Sequence, residues 1–260
     1  MLPLESIVRF LRELAPLRLA EAWDNVGLLI GDPNRPIERV MTCLTITPHS
    51  AAEAVSEAAD LIVSHHPLPF RPLGRVTTET TPGRLLLDLA ASRVAVYSPH
   101  TAWDSAAEGI NQQLARGLKL RGIAALVPAV EGQGTGRWGW LEDSLTLDAL
   151  ADQVKQMLGL ERVQVVGARD RLVRTVAVGC GSAGELLEPA RQAGCDAMLT
   201  GEASFHACLE AEAQDMGLVL AGHYGSERLG VERLAELLTV QFPGLEVWAS
   251  RREHDPLRWV

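Results

Sequence analysis

Asp60-Leu-Ile-Val-Ser-His65-His66-Pro67-Leu68 is the stretch whose reading decides the fold. Leu61, Ile62 and Val63 followed by Ser64 make the short apolar run of a buried strand, and Pro67, which has no backbone N–H to give, stops it directly after two histidines. Adjacent side chains on an extended backbone point to opposite sides. Two histidines at one strand end can therefore serve two different ions held side by side.

Outward from this strand, helical and extended patterns alternate. On its N-terminal side, Leu4, Ile7, Val8, Leu11 and Leu14 recur at helical spacing and Pro16 closes that helix. Ala22-Trp-Asp-Asn-Val-Gly-Leu-Leu-Ile-Gly31 reads as a turn entering a short strand, and residues 40–46 as a second strand. Thr47-Pro48 supplies an N-cap and a first helical residue for a helix to residue 58. On the C-terminal side, residues 67–82 hold Pro, Gly, Arg and Thr without an apolar period, a surface loop whose length beside a candidate site points to function. A helix at 83–92, a strand at 94–98 and a helix at 105–118 follow. Glu131-Gly-Gln-Gly-Thr-Gly136 is the most glycine-rich run of the chain and is read as a lobe boundary, giving lobes of 1–130 and 137–260. Past it, strands are predicted at 137–141, 163–166, 173–178, 197–200, 218–221 and 245–248, with helices at 147–158, 184–193, 205–214 and 226–238. This alternation predicts a two-lobed α/β fold with helices packed on mixed sheets.

Composition narrows the function classes. The 260 residues are 47% hydrophobic and 22% charged, ordinary for a globular chain. No apolar run approaches the roughly 18 to 20 residues of a membrane helix, and Met1-Leu-Pro-Leu-Glu5 lacks a basic leader, so a cytoplasmic protein without membrane contact is expected. A net charge of −9 argues against a partner held mainly through phosphates, so strong nucleic-acid binding is not expected. Cys43, Cys180, Cys195 and Cys208 have neither the close spacing of a zinc cluster nor that of a disulfide framework and are read as buried free thiols.

Three strand ends repeat one pattern. The strand at 61–64 delivers His65 and His66; the strand at 94–98 delivers His100 and, four residues on, Asp104; the strand at 218–221 delivers His223 and, four residues on, Glu227. Ligands of α/β sheets collect at strand carboxyl ends. Histidine nitrogens with one or two carboxylates suit zinc, manganese, iron, cobalt or nickel. If the segment after His223 is helical, the four-residue step puts His223 and Glu227 on one face. A carboxylate bridging two metals roughly 3.5 to 4 Å apart is an arrangement that activates water for hydrolysis. One strand-end histidine alone is more often a hydrogen-bonded structural residue; four of them with two carboxylates, at three strand ends, favour ligands. His49 and His254 are read as structural, and His206 as a neighbour of the ligands.

The segments Ala22-Trp-Asp-Asn-Val-Gly, Ser64-His-His-Pro, Tyr97-Ser-Pro-His-Thr-Ala-Trp-Asp, Gly109-Ile-Asn-Gln-Gln-Leu-Ala, Leu199-Thr-Gly-Glu and Ala221-Gly-His-Tyr-Gly-Ser-Glu resemble, in order, the NIF-three-like family, the type 2 GTP cyclohydrolase homologues. The resemblance implies a two-lobed α/β protein with two divalent ions per chain in the cleft between lobes and a ring-shaped homohexamer. It implies metal ligands at His65, His66, Asp104, His223 and Glu227, with His100 as an additional ligand or proton carrier. Leu44-Thr45-Ile46-Thr47 departs from the family's Leu-Asp-x-Thr, so the role of that carboxylate is absent or moved.

Three functions follow as expectations. The first is a metal-dependent hydrolase acting on a small molecule, a nucleotide such as GTP by the family name. The second is a metal-binding, metal-delivery or regulatory scaffold without turnover. The third, an NAD-dependent oxidoreductase, rests on Gly179-Cys-Gly181-Ser-Ala-Gly184, a G-x-G-x-x-G match after a strand with Glu202 near the place of a ribose-binding acid. That pattern alone is weak, and a tight strand-to-helix turn is the simpler reading.

Overall fold

The computed structural model describes residues 2–130, 132–258 and 260. The chain divides into two compact units, Met1–Trp103 together with Gly230–Val260, and Asp104–Leu229.

The first unit is built on a five-stranded sheet. Its strands are β2 (Gly27–Ile30), β4 (Arg39–Cys43), β5 (Leu61–Ser64), β6 (Ala95–Ser98) and β13 (Glu246–Ala249), in the order β13-β4-β5-β6-β2. All neighbours are parallel except the edge strand β2, which runs antiparallel to β6. A small antiparallel ladder pairs β1 (Leu2–Pro3) with β3 (Pro36–Ile37). Helices α1 (Leu4–Leu14), α2 (Pro48–Ser56) and α3 (Thr81–Ala91) belong to this unit. The apolar period of α1 buries Leu4, Ile7, Val8 and Leu11, as the spacing predicts. Thr47 caps α2 in a reciprocal box, accepting from Ser50 N at 3.2 Å while Ser50 Oγ accepts from Thr47 N at 2.8 Å. One core cluster includes Met41, Ile62, Val96, Leu85, Leu89 and Trp248.

The second unit carries a mixed six-stranded sheet. The strands are β7 (Arg121–Pro128), β8 (Gly134–Thr146), β9 (Gln164–Val166), β10 (Leu172–Ser182), β11 (Ala197–Glu202) and β12 (Gly217–Leu220), ordered β7-β8-β10-β11-β12-β9. Only β10, β11 and β12 are mutually parallel. Helices α5 (Ile110–Gly117), α6 (Leu147–Leu158), α7 (Leu187–Gln192) and α8 (Phe205–Ala213) complete it, while α4 (His100–Ser105) and α9 (His223–Gln241) carry the chain across the two boundaries. Its core cluster includes Ala177, Met198, Leu218, Leu187, Ala190 and Ala211. Among the described residues no helix is long and apolar enough to cross a membrane.

Several boundaries differ from the sequence reading. The glycine-rich run is not a linker: residues 132–134 turn the β7–β8 hairpin, with Val127 opposite Thr135 and Pro128 opposite Gly134. A Cβ on Gly134 would lie 2.1 Å from the Val127 carbonyl oxygen, so the glycine serves a tight turn. Glu131 of that run lies outside the described residues. The compact units therefore do not follow a division into 1–130 and 137–260, because the hairpin zips residues on both sides of the run into one sheet and the C-terminal strand β13 returns to β4. The helix predicted at 105–118 begins only at Ile110, as α5, and residue 105 ends a separate helix, α4, that starts at His100. α9 begins at His223, three residues earlier than predicted.

Arg137 holds the break between α4 and α5. Its guanidinium, 2% exposed, donates to the carbonyls of Gly134 and Gly136 at 2.7 Å each, to those of Ser105 and Ala106 at 3.1 and 2.8 Å, and to Gln112 Oε1 at 2.8 Å. All five N–H groups are used. A lysine has three donors on one nitrogen and leaves two buried acceptors unserved. Arg137→Lys should lower the stability of the protein by about 2–4 kcal/mol in a denaturant titration; a change within 0.5 kcal/mol, on the order of an exposed substitution, would contradict this role.

Candidate functional site

In the first unit the histidines sit where the parallel strands end. The ladder runs past β5, with His65 N donating to Cys43 O at 2.9 Å and His66 N to Leu44 O at 2.8 Å, so both histidine backbones are fixed by the neighbouring strand. Ser98, the last residue of β6, donates its hydroxyl to His65 O at 2.5 Å. His100 follows two residues on. Ring centroids lie 5.0 Å apart for His65 and His66, 5.1 Å for His65 and His100, and 5.4 Å for His66 and His100. Each residue offers a ring nitrogen within 4.8 Å of the other two. Three imidazole donors converging at this distance suit a borderline divalent ion of the zinc, iron, manganese, nickel and cobalt group.

Outer hydrogen bonds orient two of the rings. His66 Nδ1 lies 2.7 Å from Thr45 Oγ1, and His100 Nδ1 lies 2.7 Å from Asp24 Oδ1. The Asp24 carboxylate only accepts, so Nδ1 of His100 carries the proton and Nε2 is turned toward the cluster as a ligand or proton-accepting atom, while the Thr45 hydroxyl, able to donate or accept, orients the His66 ring. Asp24 also accepts from Thr101 N at 3.2 Å and Thr101 Oγ1 at 2.5 Å. Burial pushes the Asp24 carboxyl up, but the bonds from His100 and Thr101 outweigh it and hold it below the usual carboxylate range. His100 itself has a φ of +32°, a left-handed conformation that a non-glycine residue adopts at a cost and that clusters at functional sites.

Asp24 is the residue that sequence spacing did not find. It stands 76 positions before His100, in a turn, with no periodicity linking the two. Its only signal was the Ala22-Trp-Asp-Asn segment itself. The departure at Thr45 is also resolved: the threonine hydroxyl is the His66 partner, and a carboxylate reaches the same strand end from the C-terminal segment, Glu253 accepting from Leu44 N at 2.8 Å and Thr45 N at 2.7 Å.

In the second unit the corresponding position is the carboxyl edge of β10, β11 and β12. Gly222, with φ +78°, turns the chain from β12 into α9, whose first residue is His223 and whose fifth is Glu227. His223 Nε2 lies 3.1 Å from Glu227 Oε2, and His223 Nδ1 lies 2.9 Å from Glu202 Oε1 at the end of β11. The expected one-turn pairing of His223 and Glu227 is therefore present. Both nitrogens face carboxylates, which only accept, so His223 is doubly protonated in this arrangement. The bond to Glu227 outweighs desolvation and, with the charges of Glu227 and Glu202, raises its pKa to about 9.

Asp104 stands on α4, four residues beyond His100, and accepts from the Cys180 thiol at 3.2 Å. Cys180, at the β10 edge, is pushed well up by burial and then by the charges of Asp104 and Glu227, which places both carboxylates about one thiol. Asn111 ties this corner together, accepting from Cys180 N at 2.7 Å and donating to Asp104 O at 3.2 Å. The other cysteines are reduced as expected, although Cys208 is only half-buried. His206 lies exposed on α8 with its ring 6.0 Å from Phe205, while the rings of His49 and His254 lie 5.7 Å apart.

The G-x-G-x-x-G run has a different use from dinucleotide binding. A Cβ on Gly181 would meet Glu227 Oε1 at 2.2 Å, and one on Gly179 would meet Ala183 Cβ at 2.7 Å. The amides that would cradle a pyrophosphate are already engaged, Gly181 N with Ser226 Oγ at 3.0 Å and Cys180 N with Asn111. Gly181 makes room for the Glu227 carboxylate, and Gly179 for the close approach of Ala183.

A pH dependence follows for the chelated protein. His223 has its folded pKa raised above the ordinary 6.5, so its ion pairs contribute fully below about pH 6.5 and are lost as pH rises through about 9. The melting temperature difference between wild type and His223→Gln should shrink between these limits. A difference independent of pH would contradict the pairing.

A family model described as Duf34/NIF3 (NGG1p interacting factor 3) matches residues 2–256. A GTP cyclohydrolase 1 type 2 homolog of Streptomyces coelicolor is 34% identical over 264 residues, covering 97% of this chain and 93% of the relative. The Protein NIF3 homolog of Schizosaccharomyces pombe is 34% identical over 258 residues, 92% of each. Among solved structures, a Bacillus cereus protein related to NIF3 superposes with a TM-score of 0.90 at 22% identity, covering 100% of this chain and 99% of the other. Reduced HcgD from Methanocaldococcus jannaschii gives a TM-score of 0.83 at 25% identity, covering 95% and 97%. With a family match over almost its whole length and relatives of this identity in bacteria and a eukaryote, the chain belongs to the NIF3 family.

Proposed function

We propose that the protein is a metal-dependent hydrolase with a dinuclear centre, acting on a nucleotide-like substrate. The observation that carries this reading is the cluster of His65, His66 and His100, each with a ring nitrogen within 4.8 Å of the others and His100 backed by the Asp24 carboxylate. Three neutral imidazoles carry no charge to offset two divalent ions, and in this reading carboxylates of the second unit would supply it: His65, His66, Asp104, His223 and Glu227 would hold the ions, with Glu227 as the ligand shared between them. Bound ions would supply a nucleophilic hydroxide near neutral pH and charge stabilisation for an oxygen that becomes negative.

The chain's own groups have definite tasks in this reading. Asp24 keeps Nδ1 of His100 protonated and aimed, so that Nε2 takes up and returns a proton at the substrate. His223 must give up its proton to become a ligand. Its pairing with Glu227 and Glu202 therefore makes metal uptake weaker as pH falls below about 9. GTP as substrate is suggested by the relatives' name, GTP cyclohydrolase 1 type 2 homolog. We extend this reading to a cytoplasmic protein that assembles as a homohexamer; light scattering at about six times the chain mass supports the assembly, and a monomer or dimer mass contradicts it.

Metal analysis after expression with supplemented zinc, iron, manganese, nickel or cobalt should give about two ions per chain, and a reproducible value near zero would remove the centre. Glu227→Gln should lower the occupancy of both ions, whereas loss of one alone would contradict bridging. A panel of nucleotides and phosphoesters, with His100→Ala as control, tests turnover. Two retained ions without turnover would assign the same donors to metal storage, delivery or regulation.

A further inference from the structure

The histidine cluster of the first unit has an aromatic border that the metal chemistry does not use. Trp23 is 62% exposed and Phe70 is 45% exposed, unusual for residues that gain most from burial. They touch, with ring centroids 5.8 Å apart and planes inclined at 46°. Both also meet the ring of His100 edge-on, at 5.9 Å and 77° for Trp23 and 5.8 Å and 72° for Phe70. The two exposed faces thus begin at a histidine of the site.

The backbone beneath the pair is anchored. Asp24, next to Trp23, has no exposed side-chain surface and is bonded to His100 and Thr101. Asn25 donates its side-chain amide to Pro69 O at 2.8 Å, tying the turn that carries Trp23 to the segment that carries Phe70. Ordering of this kind reduces what a ligand must spend to bind between the rings. The loop after Phe70 is exposed from Arg71 to Thr80, and among the described residues neither Arg71 nor Arg75 forms an ion pair. Arg71 follows Phe70 directly in the chain and Arg75 lies on the same exposed loop, so this loop brings guanidinium groups that complement an anion attached to a flat ring.

We propose that Trp23 and Phe70 form a stacking subsite for the heteroaromatic ring of a nucleotide, with Arg71 and Arg75 receiving its phosphate. The subsite deepens the reading of the protein as a nucleotide-directed hydrolase and rests on it for the substrate class. It sets the ring against the aromatic faces and the reacting group beside His100. Stacking is tolerant of base identity because every base presents a π-face, so selectivity among bases is not assigned to this pair.

The full-length protein, stripped of metal by chelation, is titrated by calorimetry with guanosine, GMP and ribose 5-phosphate. Trp23→Leu and Phe70→Leu should each weaken guanosine and GMP about tenfold or more, within the range that loss of one stacked base contact produces. Trp23→Phe should stay within about threefold, since a face remains for stacking, and ribose 5-phosphate should be unaffected by all three. Arg71→Gln with Arg75→Gln should weaken GMP and leave guanosine unchanged. Both aromatic side chains are exposed, so melting curves should match wild type. Equal guanosine affinity in wild type and both leucine variants would overturn the subsite, as would wild type binding neither guanosine nor GMP. Loss of assembly in the leucine variants with guanosine affinity intact would also overturn it and assign the pair to contact between copies. Because the titration is made without metal, an absent centre or absent turnover leaves this result readable on its own.

Discussion

Three imidazole rings with centroids 5.0 to 5.4 Å apart are expensive to hold together unless something rewards their closeness. Each ring brings a nitrogen within 4.8 Å of the other two, so their lone pairs converge on a space that a cation would fill. The first unit is arranged around that demand. Strand β4 fixes the backbones of His65 and His66, Ser98 fixes the His65 carbonyl, and Thr45 and Asp24 set the directions of the other two rings. The positive φ of His100 is a further cost accepted at the same place.

The second unit meets a related demand with opposite charge. Glu202, Asp104 and Glu227 stand at or beside the ends of parallel strands and offset one another's repulsion through His223 and the Cys180 thiol. His223, pushed to about 9 by Glu227 and then Glu202, acts as the internal cation of that pair. A divalent ion could replace that proton. Gly181 and Gly201 give the room: a Cβ on the first would strike Glu227, and one on the second would meet Gly181 O at 2.5 Å and Ser226 Oγ at 2.6 Å. The same geometry that defeats a dinucleotide reading of the glycine run makes it part of the carboxylate site.

The parts legible in the sequence were those with local signatures. Strand β5 and its two histidines were marked by an apolar run stopped at proline, α1 by its period, and α2 by Thr47-Pro48. The i, i+4 relation of His223 and Glu227 was readable because α9 makes it local. What could not be read depends on contacts distant in sequence. Asp24 finds His100 only because β2 folds back antiparallel beside β6. The Gly132–Gly136 run has linker composition, yet becomes a hairpin because β7 offers a partner that Gly122 and Pro128 disguise as loop. The break between α4 and α5 has no strong local signal either; Arg137, from β8, takes the carbonyls that a continuous helix would have bonded internally. The first unit is discontinuous because β13 is claimed by β4, which no local pattern near residue 246 announces.

The central claim is that histidines of the first unit and carboxylates of the second serve one pair of ions. Anomalous diffraction from crystals of the metal-loaded protein, collected at the absorption edge of the added metal, locates the ions directly. The account predicts two peaks per chain, about 3.5 to 4 Å apart, bounded by His65, His66 and His100 together with Asp104, His223 and Glu227. A single peak served by the three histidines alone, or no peak beside them, would contradict it.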